Sequence, residues 1–289
     1  MRRKIRDILK AMHIERREHK SSFIVYVVLR LLVLVAMVLQ VFNKNYENVF
    51  LCVLTLVLLM LPSFIQVNMK IELPTGLEIV IMVFVFAAEI LGETHAYYIK
   101  YPQWDMALHT VNGFLMAAIG FSLVDILNKN QNVKFNLSPA FMAVVAFCFS
   151  MTIGVVWEFF EYGMDIFFGY DMQKDTIVNV IHSVALDPTK TNTVMAIENI
   201  QEVLINGKEL GLGGYLDIGL HDTMKDLLVN FVGAVVFSVI GFFYVKNRGK
   251  GGFASRFIPR LKDKDRDYLK QVQEESKEKE RLKSESQEE

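Results

Sequence analysis

The sequence predicts an all-α fold: a polytopic membrane helix bundle of about six transmembrane helices, with a small extracytoplasmic insert between spans 5 and 6. Two observations carry that prediction. Hydrophobic residues make up 52% of the 289, and they gather in runs long enough to cross a hydrocarbon core about 30 Å thick. Charge is also segregated: the formal net charge is only −1, yet basic residues collect towards the two ends. Both cysteines, Cys52 and Cys148, lie inside apolar runs, so no disulfide framework is expected. The first apolar run follows a long charged head without a small-residue cleavage site, and reads as an uncleaved first span.

In chain order, residues 1–20 form a basic cytoplasmic head. Ile5, Ile8, Leu9 and Met12 fall on one side of a helix there, with Arg2, Arg3, Lys4, Arg6, Lys10, Arg16 and Arg17 largely elsewhere. That pattern reads first as a positive-inside topology signal, and it also fits an amphipathic helix on an anionic leaflet. Residues 21–168 hold spans 1–5, expected at Ser22–Phe42, Val49–Val67, Leu77–Glu93 (starting nearer Leu73), Asp105–Leu127 and Phe141–Phe168. Span 6 is expected at Asp222–Val245, within 222–245. Pro62 is tolerable inside span 2. Tyr97, Tyr98, Tyr101 and Trp104 cluster as an interfacial belt.

Lys246, Arg248, Lys250, Arg256, Arg260 and Lys262 follow span 6, so both basic ends are expected on the cytoplasmic side of the membrane. The charged cytoplasmic tail is 246–289; from about Asp263 its Glu, Lys, Ser and Gln content predicts disorder or a solvated helix. The 169–221 insert then lies outside the cytoplasm. It is too long for a plain connector, and Asn206-Gly207 between apolar residues signals a two-stranded hairpin.

One stretch interrupts the membrane pattern. Glu158, Glu161 and Asp165 share a face of span 5 at i, i+3 and i+7. Carboxylates facing lipid would each cost about 2.5–3.5 kcal/mol, so they should face other helices or a wet cavity. With both termini inside, Glu89, Glu93, Glu158, Glu161 and Asp165 approach the outer face late in outward spans. Asp105, His109, Asp222 and Asp226 start inward spans from that same face. Asp105/His109, Glu89/Glu93 and Asp222/Asp226 are each i,i+4 pairs, while Asn112, Asn230 and Gly233 continue the stripes.

Simpler roles exist for several of these residues. Asp105 and Asp222 fit equally as helix N-terminal caps, and His95 and His221 as wetted interface residues. Arg30 is expected to snorkel or to pair with Glu89 or Asp125. His109, Glu158, Glu161 and Asp226 fit a functional cluster better than a packing network, because ionisable groups buried in membranes are usually functional.

The order Gly92, His95 and Tyr97, then Asp105-x3-His109-x3-Gly113, Glu158-x2-Glu161-Tyr162, and Asp222-Thr223-x2-Asp226 with Gly233 resembles the YjdF-like family of uncharacterised bacterial inner-membrane proteins. The resemblance covers spans 3 to 6. A weaker similarity is to the VanZ-like membrane proteins, through Asp105-x3-His109 and Asp226, Asn230 and Gly233. This chain departs from that second pattern at Glu161, where a glutamine would be usual, and compact members of either family lack the long insert. The resemblance implies an envelope membrane protein with a shared polar site, and no particular activity.

Crowded carboxylates need a counter-charge. A divalent cation would supply it, with Asp105, His109, Glu158, Glu161 and Asp226 as ligands; such an oxygen-rich set suits Mg, Mn or Zn. With Glu158, Glu161 and His109 as catalytic groups, the expectation is a metal-dependent membrane hydrolase or transferase acting on an envelope lipid or lipid-linked substrate. The alternatives are a proton- or cation-coupled transporter, or a non-catalytic membrane assembly or partner protein. The lipid bilayer is the expected partner. No Walker-type or dinucleotide-binding loop appears, and no nucleic-acid partner is expected.

Overall fold

A computed structural model describes residues 2–128, 137–247, 249 and 252–288. Arg248 and Lys250 of the expected basic segment lie outside the described residues. In chain order the elements are α1 (Arg2–Glu18), α2 (Lys20–Phe42), α3 (Tyr46–Leu58), α4 (Leu61–Met69), β1 (Ile71–Glu72), α5 (Thr75–Phe86), a π-helical segment (Ala87–Thr94) and α6 (Tyr97–Lys100). There follow α7 (Trp104–Asn128), α8 (Pro139–Phe168), β2 (Ile177–Val178), β3 (Ile181–Ser183), β4 (Met195–Ile197), β5 (Leu204–Ile205), β6 (Lys208–Glu209), β7 (Tyr215–Leu216), α9 (Leu220–Lys246), β8 (Arg260–Leu261) and α10 (Tyr268–Glu288). Six helical stretches among the described residues are long and apolar enough to cross a membrane: Lys20–Phe42, Tyr46–Met69, Thr75–Thr94, Trp104–Asn128, Pro139–Phe168 and Leu220–Lys246. The chain is a polytopic helical bundle, as its composition predicts.

Local chemistry sets the boundaries. His19 is extended (φ −107°, ψ 102°), so the chain turns between α1 and α2. Asn45 caps α3 by accepting the Asn48 amide at 3.1 Å. Span 2 is two helices where one was expected. Pro62 falls in the first turn of α4, where its missing N–H is harmless, but it cannot continue α3. Span 3 ends in a π-helical segment that carries Glu89 and Glu93. Ser138 caps α8, accepting from the Phe141 amide at 3.2 Å just before Pro139.

The chain divides into two compact units, residues 1–151 with 229–289, and residues 152–228; α8 and α9 contribute to both. In the first unit, α2 buries Tyr26, Leu29, Val33 and Ala36 at helical spacing and leaves Ile24, Leu31, Val35 and Val38 exposed, as a lipid-facing surface requires. Ala117, Ala118, Phe121, Met142, Ala146, Ala234 and Phe237 form the core where α7, α8 and α9 meet. Small residues there let helix backbones approach, which is what drives helix association in lipid.

The two charged ends differ from expectation. The tail is an ordered helix docked on the head: Ala11, Met12, Val67 and Val272 form one cluster. Polar contacts tie α1 to α10, with Lys10–Glu275 at 2.8 Å, Tyr268 Oη to Glu18 at 2.6 Å and Ser276 Oγ to Asp7 at 3.1 Å, and a buried Glu15–Lys262 pair ties α1 to the segment after β8. Opposite charge spread along two helices reads as solvation when each is considered alone, yet here it is mutual. β1 and β8 complete this assembly as an antiparallel pair, Ile71 opposite Leu261 and Glu72 opposite Arg260. Burial pushes the Glu15 carboxyl above its ordinary value, against the opposing hydrogen bond and charge of Lys262.

The second unit carries three antiparallel two-stranded ladders: β2–β7, β3–β4 and β5–β6. The Asn206-Gly207 hairpin forms as expected, pairing Leu204 with Glu209 and Ile205 with Lys208. Both turn residues have positive φ (53° and 78°), as a tight hairpin turn demands. Most of the apolar residues of 169–219 remain exposed, and carboxylates organise much of the local backbone. Asp187 accepts the amides of Thr189, Thr191 and Thr193 at 2.9, 2.8 and 3.1 Å. The Thr189 hydroxyl, then these amides, hold its carboxyl well below the usual carboxylate range.

Candidate functional site

In the first unit, Asp105 stands in the first turn of α7 and His109 one turn later. His109 Nε2 lies 3.6 Å from Asp105 Oδ1, with the imidazole almost fully buried and the carboxylate half-buried. One turn further, Asn112 Nδ2 donates to Asn230 Oδ1 of α9 at 3.2 Å, and Asn230 Nδ2 reaches Met151 Sδ at 3.6 Å. Ser150 Oγ of α8 donates to the Gly113 carbonyl at 2.7 Å. Two glycines permit this packing. A Cβ on Gly113 would stand 2.1 Å from the Asn230 carbonyl oxygen, and one on Gly233 2.0 Å from that of Thr110.

The helix directions follow from these contacts. Along α7 and α9, Phe114 meets Phe237 and Phe121 meets Tyr244, so the two helices run the same way. Along α7 and α8, Asn128 meets Met142 and Gly113 meets Ser150, so these two run in opposite directions.

In the second unit, Gly154, Glu158 and Glu161 are buried on α8, and Asp165 is half-buried on the same face. Trp157, Phe159, Phe160 and Tyr162 are exposed. The helix therefore turns its aromatic residues outward and its acids inward, the arrangement a bilayer enforces. Asp226 on α9 is 1% exposed. Asp165 and Asp222 have structural work: Asp165 accepts the amides of Met172 and Gln173 at 2.6 and 2.8 Å, and Asp222 that of Lys174 at 2.7 Å. Gln173 Nε2 also donates to the Thr223 hydroxyl at 2.6 Å.

Asp217 serves the N-terminus of α9. Asp217 accepts the amides of Thr176, Gly219 and His221 at 2.7, 3.2 and 2.9 Å. Burial works to raise its carboxyl, but these bonds outweigh burial and hold it low. Asp217 fell in a glycine-rich stretch that reads only as turn. Ser150 was also passed over, although it precedes Glu158 by eight residues and so continues the acid-bearing face of α8.

Six spans, an Asp-x3-His on the fourth, inward-turned acids on the fifth and an Asp-x3-Asn-x2-Gly on the sixth can be set against known families. The family described as Predicted membrane protein (DUF2238) matches residues 25–247. The chain belongs to that DUF2238 family. The match agrees with the uncharacterised membrane family that the motif order suggested, and lends nothing to the VanZ-like similarity. No curated protein and no solved structure matches the chain. The DUF2238 region includes every candidate site residue and most of the six spans, and it stops short of α1 and α10.

Other expectations for this DUF2238 chain resolve individually. His95 Nδ1 lies 3.0 Å from the Ile90 carbonyl, a helix-terminal contact that fits its structural reading. His221 is exposed, with its amide bonded to Asp217. Arg30 pairs with neither Glu89 nor Asp125; its guanidinium turns back one helical turn to the Tyr26 hydroxyl.

Proposed function

We propose that Asp105, His109, Glu158, Glu161 and Asp226 hold a divalent cation, Mg, Mn or Zn, and that this DUF2238 protein uses it to hydrolyse or transfer a phosphate-bearing envelope lipid. The reading joins two donor groups, Asp105–His109–Asp226 and His109–Glu158–Glu161, through the shared imidazole. The observation that carries it is the burial of Glu158 and Glu161 on α8 while Trp157, Phe159, Phe160 and Tyr162 beside them are exposed. Ionised carboxylates are costly at such a depth, and a cation would offset several of them at once.

Spacing along each helix agrees with that reading: Asp105 and His109 are one turn apart on α7, Glu158 and Glu161 about one turn apart on α8, and Asp226 one turn before Asn230 on α9. A bound ion would polarise a phosphate oxygen or generate hydroxide from water at neutral pH. The protein's own share is to hold the His109 imidazole beside Asp105 and keep the acids out of lipid. Both termini are proposed as cytoplasmic in a bacterial plasma membrane, from the basic ends; outside-only cysteine labelling that reached residue 5 or 275 would reverse that.

The test is elemental analysis of protein purified in mild detergent. About one metal per chain is expected, with retention falling at least tenfold in Glu161→Gln while the helical content is kept. Retention should also decline between about pH 7 and 5, because a ligating imidazole must be neutral, and His109→Gln should remove part of that decline. Wild-type protein without metal, yet active in proton-coupled uptake into vesicles, would favour the transporter.

A further inference from the structure

A second polar centre lies at the elbow between α1 and α2. Arg16 Nη1 donates to the Tyr26 hydroxyl at 2.6 Å, and Arg30 Nη1 donates to the same oxygen. Both guanidinium carbons also lie over the Tyr26 ring, 4.9 and 5.7 Å from its centroid. Two full positive charges thus converge on one neutral group that is 6% exposed. Among the described residues no carboxylate comes within 4.0 Å of either guanidinium.

The neighbouring acids are already engaged. Glu15 pairs with Lys262, Glu18 accepts the Tyr268 hydroxyl, and Glu78 accepts from Ser22. Other cations flank the elbow: Arg17 sits over the Phe23 ring at 5.9 Å, and Lys20 is exposed.

Like charges held together in a poorly screened place repel each other strongly. Such an arrangement calls for an anion. The hydrogen-bond count at Tyr26 agrees. A phenol oxygen has two lone pairs and one proton, and the two arginines occupy both lone pairs, leaving the O–H to donate outward. Each guanidinium keeps further N–H groups in its planar fork, which suits a tetrahedral oxyanion. The depth suits a lipid headgroup: Tyr26 lies about 9 Å of helix rise beyond Lys20, the first residue of span 1.

We propose that Arg16, Arg30 and the Tyr26 hydroxyl form a site for a phosphate group, carried by an anionic lipid headgroup or free in solution. It is independent of the cation site, so either can fail without the other. Protein in mild detergent would be titrated with phosphatidylglycerol, with phosphatidylcholine, and separately with inorganic phosphate. The readouts are bound lipid by native mass spectrometry and the melting temperature.

Phosphatidylglycerol is expected to be retained at about one per chain and to raise the melting temperature. Arg16→Gln/Arg30→Gln should weaken that retention at least tenfold, and Tyr26→Phe, which keeps both charges, several-fold. Stabilisation by inorganic phosphate without lipid, lost in the same variants, supports the site and assigns it the soluble source. Equal phosphatidylglycerol retention in wild type and Tyr26→Phe, together with no response to inorganic phosphate, overturns the proposal even where the double variant fails to fold.

Discussion

Gly113→Ala tests whether the α7–α9 contact is as close as the two glycines require. The added Cβ would stand 2.1 Å from the Asn230 carbonyl oxygen, whereas ordinary contact begins at 3.4 Å. The obstacle is helix backbone, which cannot rotate aside, so the helices must part by roughly 1 Å. Overpacking of this kind costs about 1–3 kcal/mol. Separation also stretches the Asn112–Asn230 bond, already 3.2 Å, beyond useful range. Side-chain hydrogen bonds between membrane helices are worth about 0.6–1.7 kcal/mol. Together these predict a loss of about 2–4 kcal/mol, or roughly 5–15 °C in melting temperature for a bundle of this size. Gly163→Ala is the control, since its Cβ would meet only the Phe167 ring at 3.9 Å. Both variants would be melted in mild detergent. A Gly113→Ala protein that melts with the wild type would refute the close approach and the helix register built on it.

Lys262→Met strands the Glu15 carboxylate, whose side chain is 3% exposed. Loss of one partner from a buried pair costs about 3–5 kcal/mol, so the α1–α10 assembly should become protease-sensitive, and Glu15→Gln/Lys262→Met should recover part of the protection. Asp187→Ala should free the Thr189, Thr191 and Thr193 amides and raise their hydrogen exchange without altering the six spans. Because the folded Asp187 carboxyl is held low, its stabilisation is full above its unfolded value near 3.9 and fades as pH falls below that. Exchange protection at Thr191 should thus be steady from pH 7 to 5 and fall in stronger acid; protection unchanged in the alanine variant would show that the carboxylate does not hold the loop.

The spans were legible because a bilayer imposes length and apolarity together, and Lys20–Phe42 and Trp104–Asn128 fall close to the expected ranges. The inward face of α8 was legible for the same reason: acids spaced i, i+3, i+7 leave no alternative. The Asn206-Gly207 hairpin followed from turn chemistry alone. What stayed hidden depended on distant partners. Nothing local to residues 263–288 indicates that Val272 will be buried against Ala11 and Met12, because the complementary charges lie more than two hundred residues away in sequence. Arg30 offered several partners at comparable sequence cost and takes Tyr26, one turn back on its own helix, while Arg16 reaches the same hydroxyl only through the turn at His19.

The terminal helices acquire meaning from that last contact. α1 and α10 lie outside the DUF2238 match, so the six-span frame and its acids belong to the family region without them. Yet Arg16 belongs to α1, and α1 is held by α4 and α10 through Met12, Val67 and Val272, and by the segment after β8 through the Glu15–Lys262 pair. The anion centre therefore combines two residues of the family region, Tyr26 and Arg30, with one that depends on the packing of both chain ends. Arg30 alone would be a membrane arginine snorkelling towards the interface. With Arg16 beside it the charge is doubled and the hydroxyl proton is directed outward, so the terminal helices turn a tolerated arginine into a site that selects an anion.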